Sequence, residues 1–195
     1  MRHVRVSEIL ARLQSYADVD PEVLAAKAAI GTNVHQAIVQ DCADEFVVFD
    51  TDRARAYFES YKMWAVRKPN IVQVPRLYCD SLMITGECDG LLDNVTLIDW
   101  KCSASANKKI WNMQAHFYWY LLKENGYEVA DTMRWINLRH TKRYKKDPET
   151  NQGYVLYDAL TPVVHEFKFD PNVLSQCIDE AIKYWEEYND AKVLV

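Results

Sequence analysis

Ahead of residue 67, apolar side chains recur every three or four positions, the spacing of an amphipathic helix. Ile9, Leu10 and Leu13 form the first stripe, and Ser7 predicts an N-cap for a short helix reaching Tyr16. Asp20-Pro21-Glu22 opens the second: an aspartate cap with proline at the first helical position. An Ala-rich run then carries it to about Cys42, with Gly31 inside the helix or at a break. Residues 51–66 place Tyr57, Phe58, Tyr61 and Trp64 on one face of a third helix.

Beyond residue 70 the period shortens. Residues 71–76 alternate as a strand does, with Pro75 at an edge or bulge. Residues 82–92 and 95–101 read as two strands joined at the turn dipeptide Asp93-Asn94. A strong helix is expected over 106–125, stopped by Gly126. Strands follow over 132–139, 153–158 and 164–169, and a last helix runs from Asp170-Pro171 to about 190. The order predicts one α/β domain over residues 1–195: a helical N-terminal part (1–66), a sheet and helix (70–169) and a C-terminal helix (170–195). Its architecture is a central mixed β-sheet flanked by helices.

Composition narrows the class. With 195 residues, 49% hydrophobic and 26% charged, the chain can bury a full core without covalent staples. Its five cysteines are odd in number and contain no CxxC, which argues for reduced structural thiols and against a Cys-rich metal or iron–sulfur site. No apolar run approaches the ~18 residues of a membrane span, and MRHVRVSEIL lacks the apolar core of a signal peptide. A cytoplasmic protein with no membrane partner is expected. The net charge of −5 alone disfavours nucleic acid. Yet Arg134, Arg139, His140, Lys142, Arg143, Lys145 and Lys146 lie together with no acid among them. Such a run is either a solvated loop or a footprint for phosphates.

The stretch GECDGLLDNVTLIDWKCS holds the candidate chemistry. In a strand, alternate residues share a face, so Asp99 and Lys101 point one way and Trp100 the other. Asp89 joins them if the hairpin loop has three residues, which pairs 92 with 96 and 89 with 99. A two-residue loop pairs 89 with 98 and turns Asp89 away. The sequence allows both. If the three groups meet, two close carboxylates repel, and a hard divalent cation relieves them. A neighbouring lysine can then orient water or stabilise charge on a phosphate. On spacing alone, an Asp–Lys ion pair at a sheet edge explains the same letters.

GECDGLL…LIDWKCS resembles the GxxD…DxK core of the PD-(D/E)xK nuclease superfamily, and more closely its RecB-like and phage exonuclease branch. AAIGTNVHQAI resembles that branch's upstream GTxxH helix, NMQAHFYWYLL its downstream QxxxY helix, and VRVSEILARL the opening of phage members. The match spans about residues 5–122 in the family's order. It implies a restriction-endonuclease-like core. It implies metal ligation by His35, Asp89, Asp99 and the Trp100 carbonyl. It also implies catalytic roles for Asp89, Asp99 and Lys101, with Gln114 and Tyr118 beside them toward the DNA. Two departures stand out: VQVPRLYC lacks the glutamate many relatives carry before GxxD, with Glu87 too close to Asp89 to replace it, and Cys102-Ser103 replaces Thr-Ser.

The resemblance therefore implies a Mg²⁺- or Mn²⁺-dependent deoxyribonuclease, more an exonuclease than an endonuclease, serving recombination, repair or replication. No iron–sulfur cluster is expected, because Cys177 stands alone near the C-terminus. Arg139, Lys142, Arg143, Lys145 and Lys146 are the expected phosphate contacts, with Tyr144 or Trp111 available to stack on unpaired bases. There is no P-loop, so a helicase would be a separate chain, as would a single-strand-annealing or single-strand-binding protein. The alternatives are an endonuclease on the same fold, or a module of this fold that binds DNA or protein without turnover.

Overall fold

Chain direction and cap chemistry set the element order in the computed structural model, which describes residues 2–14 and 20–193. The elements are β1 (Val4–Arg5), α1 (Val6–Ala11), α2 (Pro21–Cys42), α3 (Asp52–Trp64), β2 (Ile71–Val72), β3 (Leu77–Cys79) and β4 (Ile84–Gly86). They continue with β5 (Gly90–Leu92), β6 (Thr96–Lys101), α4 (Lys108–Glu124), β7 (Thr132–Lys146), β8 (Gly153–Lys168) and α5 (Pro171–Val193). Asp20 caps α2 by accepting from the Glu22 amide, Thr51 caps α3 through Ala54 N, and Asn107 caps α4 through Ile110 N. Ser7 is not a cap. The chain passes directly from β1 into α1, whose cap residue Arg5 makes no side-chain cap bond. Tyr16, the expected end of that helix, lies outside the described residues.

The main sheet has the order β2-β5-β6-β7-β8, antiparallel except for the parallel β6–β7 pair. Its two faces carry different cores. Ile98, Trp100, Ile136 and Leu138 pack with Val34, Ile38, Tyr57 and Tyr61 of α2 and α3. Leu91, Leu97, Met133 and Trp135 pack with Phe117, Leu121, Cys177 and Ala181 of α4 and α5. Helices thus flank a central mixed sheet, as the patterning predicts.

A second, three-stranded sheet (β1-β4-β3) is a departure from the expectation. The expected strand over 82–92 is two strands, β4 and β5, one in each sheet. Residues 87–89 carry the chain across. The expected strand over 71–76 shrinks to β2, leaving Pro75 in the link to β3. The expected pair 153–158 and 164–169 is one strand, β8. Thr161 and Pro162 fall opposite the register shift between Asn137 and Arg139, a bulge on an edge strand where a missing N–H costs nothing. The basic run 134–146 is strand, not loop.

Candidate active site

The hairpin β5–β6 fixes the register. Asp93 and Asn94 both adopt left-handed backbone (φ 52° and 67°), Val95 N donates to Leu92 O, and Leu92 pairs with Thr96. The loop has three residues, which sets 89 opposite 99. Two glycines frame Asp89. A Cβ on Gly86 would sit 2.8 Å from Tyr118 Cε1, and one on Gly90 would sit 2.8 Å from Ile71 Cγ2 and 2.9 Å from the Val72 carbonyl oxygen. The absence of side chains there lets α4 and β2 close on either flank of Asp89.

Asp99 and Lys101 share the α4-facing side of β6, and the Lys101 Nζ lies 2.5 Å from Asp99 Oδ2. Trp100 points to the other face, edge-on to Tyr61 and Trp64 at ring separations of 5.2 and 5.1 Å. That packing anchors the strand between its two charged neighbours. Asp89 reaches β6 through its side chain: the Trp100 amide donates to Asp89 Oδ2 at 2.6 Å. His35, on α2, completes the cluster, with Nδ1 3.0 Å from Asp89 Oδ1 and Nε2 3.0 Å from the Trp100 carbonyl oxygen.

The electrostatics follow from burial. Burial pulls the His35 pKa down, but the charge and hydrogen bond of Asp89 outweigh it and the net shift is upward. Both ring nitrogens face acceptors, so the ring here is an imidazolium donating twice. Burial pushes Asp89 up, while His35, Lys101 and the Trp100 amide pull it below its ordinary value. Asp99 is only 3% exposed. Burial raises its pKa to about 6, and Asp89 adds to this against the pull of Lys101. Its Oδ2 receives no well-aligned hydrogen bond, only the nearby ammonium. A buried carboxylate oxygen short of donors is chemically suited to a cation. Among the described residues, however, no group of three or more His, Cys, Asp or Glu side chains is arranged to hold a metal ion as it stands. The donors are turned toward one another.

Gln114 and Tyr118 share one face of α4 and are bonded together, Gln114 Nε2 to the Tyr118 hydroxyl at 3.1 Å. Burial first, then the Asp99 charge, raise the Tyr118 pKa, so the phenol stays protonated near the carboxylates. A cavity of about 290 Å³ opens beside Asp89, lined by His35, Gln73, Arg76 and Glu87. Glu87 is engaged by Arg76 at 2.7 Å. It does not join the carboxylate pair.

The basic run divides. Arg139 and Lys142 line a cavity beside the loop after Lys101, whereas Arg143 is ion-paired with Asp158 across the hairpin. Lys145 and Lys146 sit at the exposed end of β7. Tyr144 is 78% exposed and free to stack. Trp111 is 6% exposed, buried edge-on against His165, so it presents no face to a base. Two residues escaped the sequence reading. Asn137 faces Lys101 across the β6–β7 ladder. In the amide orientation its neighbours require, it donates to the carbonyls of Lys101 (3.1 Å) and Ser103 (3.0 Å). Arg53 of α3 donates to His140 at 3.0 Å.

No family model and no curated protein matches the chain. Among solved structures, a phage-related exonuclease from Haemophilus somnus 129PT superposes with TM-score 0.46 and 16% identity over 97% of this chain and 96% of that one. An alkaline exonuclease (LHK-Exo) from Laribacter hongkongensis superposes with TM-score 0.50 and 11% identity over 98% of this chain and 93% of that one. The chain has a mixed α/β fold similar to that of the Laribacter exonuclease structure.

Proposed function

We propose that this chain is a divalent-metal-dependent DNA nuclease of the PD-(D/E)xK type, an exonuclease of phage character working in the cytoplasm in recombination, repair or replication. The observation that carries the reading is the convergence of Asp89, Asp99, Lys101 and His35 on the end of one hairpin. Buried like charges are costly and serve no packing purpose. Asp89, Asp99 and the Trp100 carbonyl would hold Mg²⁺ or Mn²⁺, with His35 adding a nitrogen once its ring is neutral. The ion supplies positive charge that polarises a phosphate and makes water more acidic. Lys101 orients the attacking water and stabilises charge growing on the phosphate oxygens. Tyr118, its phenol protonated, and Gln114, hydrogen-bonded to it, present donors toward the strand being cut. The fold's likeness to an exonuclease structure supports the same reading.

The test incubates end-labelled linear DNA and closed circular DNA with Mg²⁺ or Mn²⁺. Loss of the linear substrate alone identifies an exonuclease, and nicking of circles identifies an endonuclease. Asp99→Ala and Lys101→Ala should each lose about 10²-fold or more of the activity. Full activity in both variants would sink the assignment. The mutual pairing of His35 with Asp89 favours one other reading, a scaffold of this fold without turnover. Mn²⁺ titration separates the two, since a live site raises Tm with ion concentration.

A further inference from the structure

Two cavities meet at the loop that follows Lys101. One, of about 670 Å³, lies between the first half of α2 and residues 102–107, with Lys27, Arg53 and Ser103 in its wall. The other, of about 410 Å³, lies between α3 and β7, with Arg53, Ser103, Arg139 and Lys142 in its wall. Arg53 and Ser103 belong to both, so the spaces are neighbours across one side chain and one loop. Among the described residues no Asp or Glu lines either cavity, although the chain as a whole carries a net charge of −5. Four cations against no acid is a local inversion of the protein's charge.

Arg53 is the common element. Arg76, Arg134 and Arg143 are each engaged by a carboxylate. Among the described residues none pairs with Arg53. Its Nε donates instead to His140 Nε2, and its guanidinium lies 5.9 Å from the Tyr57 ring centroid. Burial lowers the His140 pKa, so the ring is a neutral acceptor, with Nδ1 facing the Thr141 carbonyl. Two neutral partners, the His140 ring at Nε and the Tyr57 hydroxyl, hold the guanidinium in place and leave its charge uncompensated. A bidentate fork with full charge matches a phosphate diester.

Resting on the nuclease reading above, we propose that Arg53 clamps a backbone phosphate of the substrate strand beside the Lys101 loop. The strand runs through both cavities, from Lys27 past Arg53 to Lys142. His140 is a positioning residue that aims the clamp and does not itself touch the strand.

The test measures binding, by fluorescence anisotropy in EDTA, of a short labelled single-stranded DNA and of a series in which one phosphate at a time is a neutral methylphosphonate. Wild type should show one position of marked sensitivity. Arg53→Ala should weaken binding of the unmodified strand about tenfold, reduce the log–log salt slope by about 1, and be blind to the methylphosphonate at that position. Arg53→Lys should recover part of the affinity, because charge returns without the fork. Lys183→Ala, which removes a cation paired with Glu180 on α5, should bind like wild type. If Arg53→Ala or Arg53→Lys keeps wild-type affinity and sensitivity at every position, the clamp is overturned while the nuclease reading stands. If wild type neither binds nor cleaves DNA, both fall together.

Discussion

Nδ1 of His35 lies 3.0 Å from Oδ1 of Asp89, so α2 and the end of β5 are joined by a charged pair at the centre of the candidate site. The raised pKa of His35 means that its contribution is complete below the ordinary histidine value of 6.5 and fades as pH rises through the raised value. The lowered pKa of Asp89 means that its contribution holds above the ordinary carboxylate value of 3.8 and fades as pH falls through the lowered one. Both are present between. His35→Ala, unfolded by urea in EDTA, should therefore cost about 1–2 kcal/mol near pH 6 and much less at pH 9. A cost that does not change with pH would mean the ring is neutral in the folded protein.

Asp99 works against the fold. An acid raised from 3.8 to about 6 by burial removes stability as pH climbs through that interval. Asp99→Asn, metal-free, should be about 1–2 kcal/mol more stable than wild type at pH 8 and equal to it at pH 4, while losing nuclease activity. Thermal melts at the two pH values, with a parallel activity assay, check this. A variant less stable at pH 8 would show that the Lys101 pair outweighs the burial cost.

Gly86→Ala should push the Tyr118 ring away, since the new methyl would sit 2.8 Å from Cε1. The overpacking should cost about 1–3 kcal/mol. The hydroxyl that Gln114 holds should shift with the ring, lowering kcat more than it raises KM. Unchanged stability and kcat would mean that α4 gives way freely at this point.

His116 fastens the start of α5. Its Nε2 accepts from the Asp170 amide at 2.9 Å, and its Nδ1 faces the Asn112 carbonyl at 2.8 Å. Burial lowers its pKa, so the neutral ring is favoured in the fold, and stability is lost as pH falls from 6.5 through the lowered value. Amide exchange in the first turn of α5 should accelerate at pH 5 relative to pH 7, after correction for intrinsic rates. His116→Ala should cost about 2–3 kcal/mol and remove the difference. Exchange in α5 that ignores the variant would detach the helix from this ring.

Local chemistry was readable in the chain. Asp20-Pro21 and Asp93-Asn94 announce their cap and turn by side-chain type, and the structure uses both. The alternation around Trp100 predicts which side of β6 its neighbours take, and the two hydrophobic clusters agree. Long-range partnership was not readable. Nothing within residues 82–92 says that the first part pairs with Val4 and Arg5, eighty residues away, and the second with β6. Pro162 interrupts the pattern of β8 because a proline in a strand reads as a break unless the strand is known to be an edge.

The site divided along the same line. Asp89, Asp99 and Lys101 sit close in sequence, on one hairpin whose turn fixes their register. Arg53 and Asn137, 48 and 36 residues from Lys101 in the chain, reach the neighbourhood by tertiary packing alone, and no spacing announces them. Trp111 misled for the opposite reason: its aromatic ring suggested a stacking platform, but the helix turns it inward against His165.

The parallel pairing of β6 with β7 has a consequence for biosynthesis. A parallel neighbour is reached only by a crossover, here α4, so Trp100 and Lys101 gain Ile136 and Asn137 only after those residues have left the ribosome. A nascent chain ending within α4 spells out His35, Asp89, Asp99 and Lys101 in full, yet lacks the strand that holds them in line.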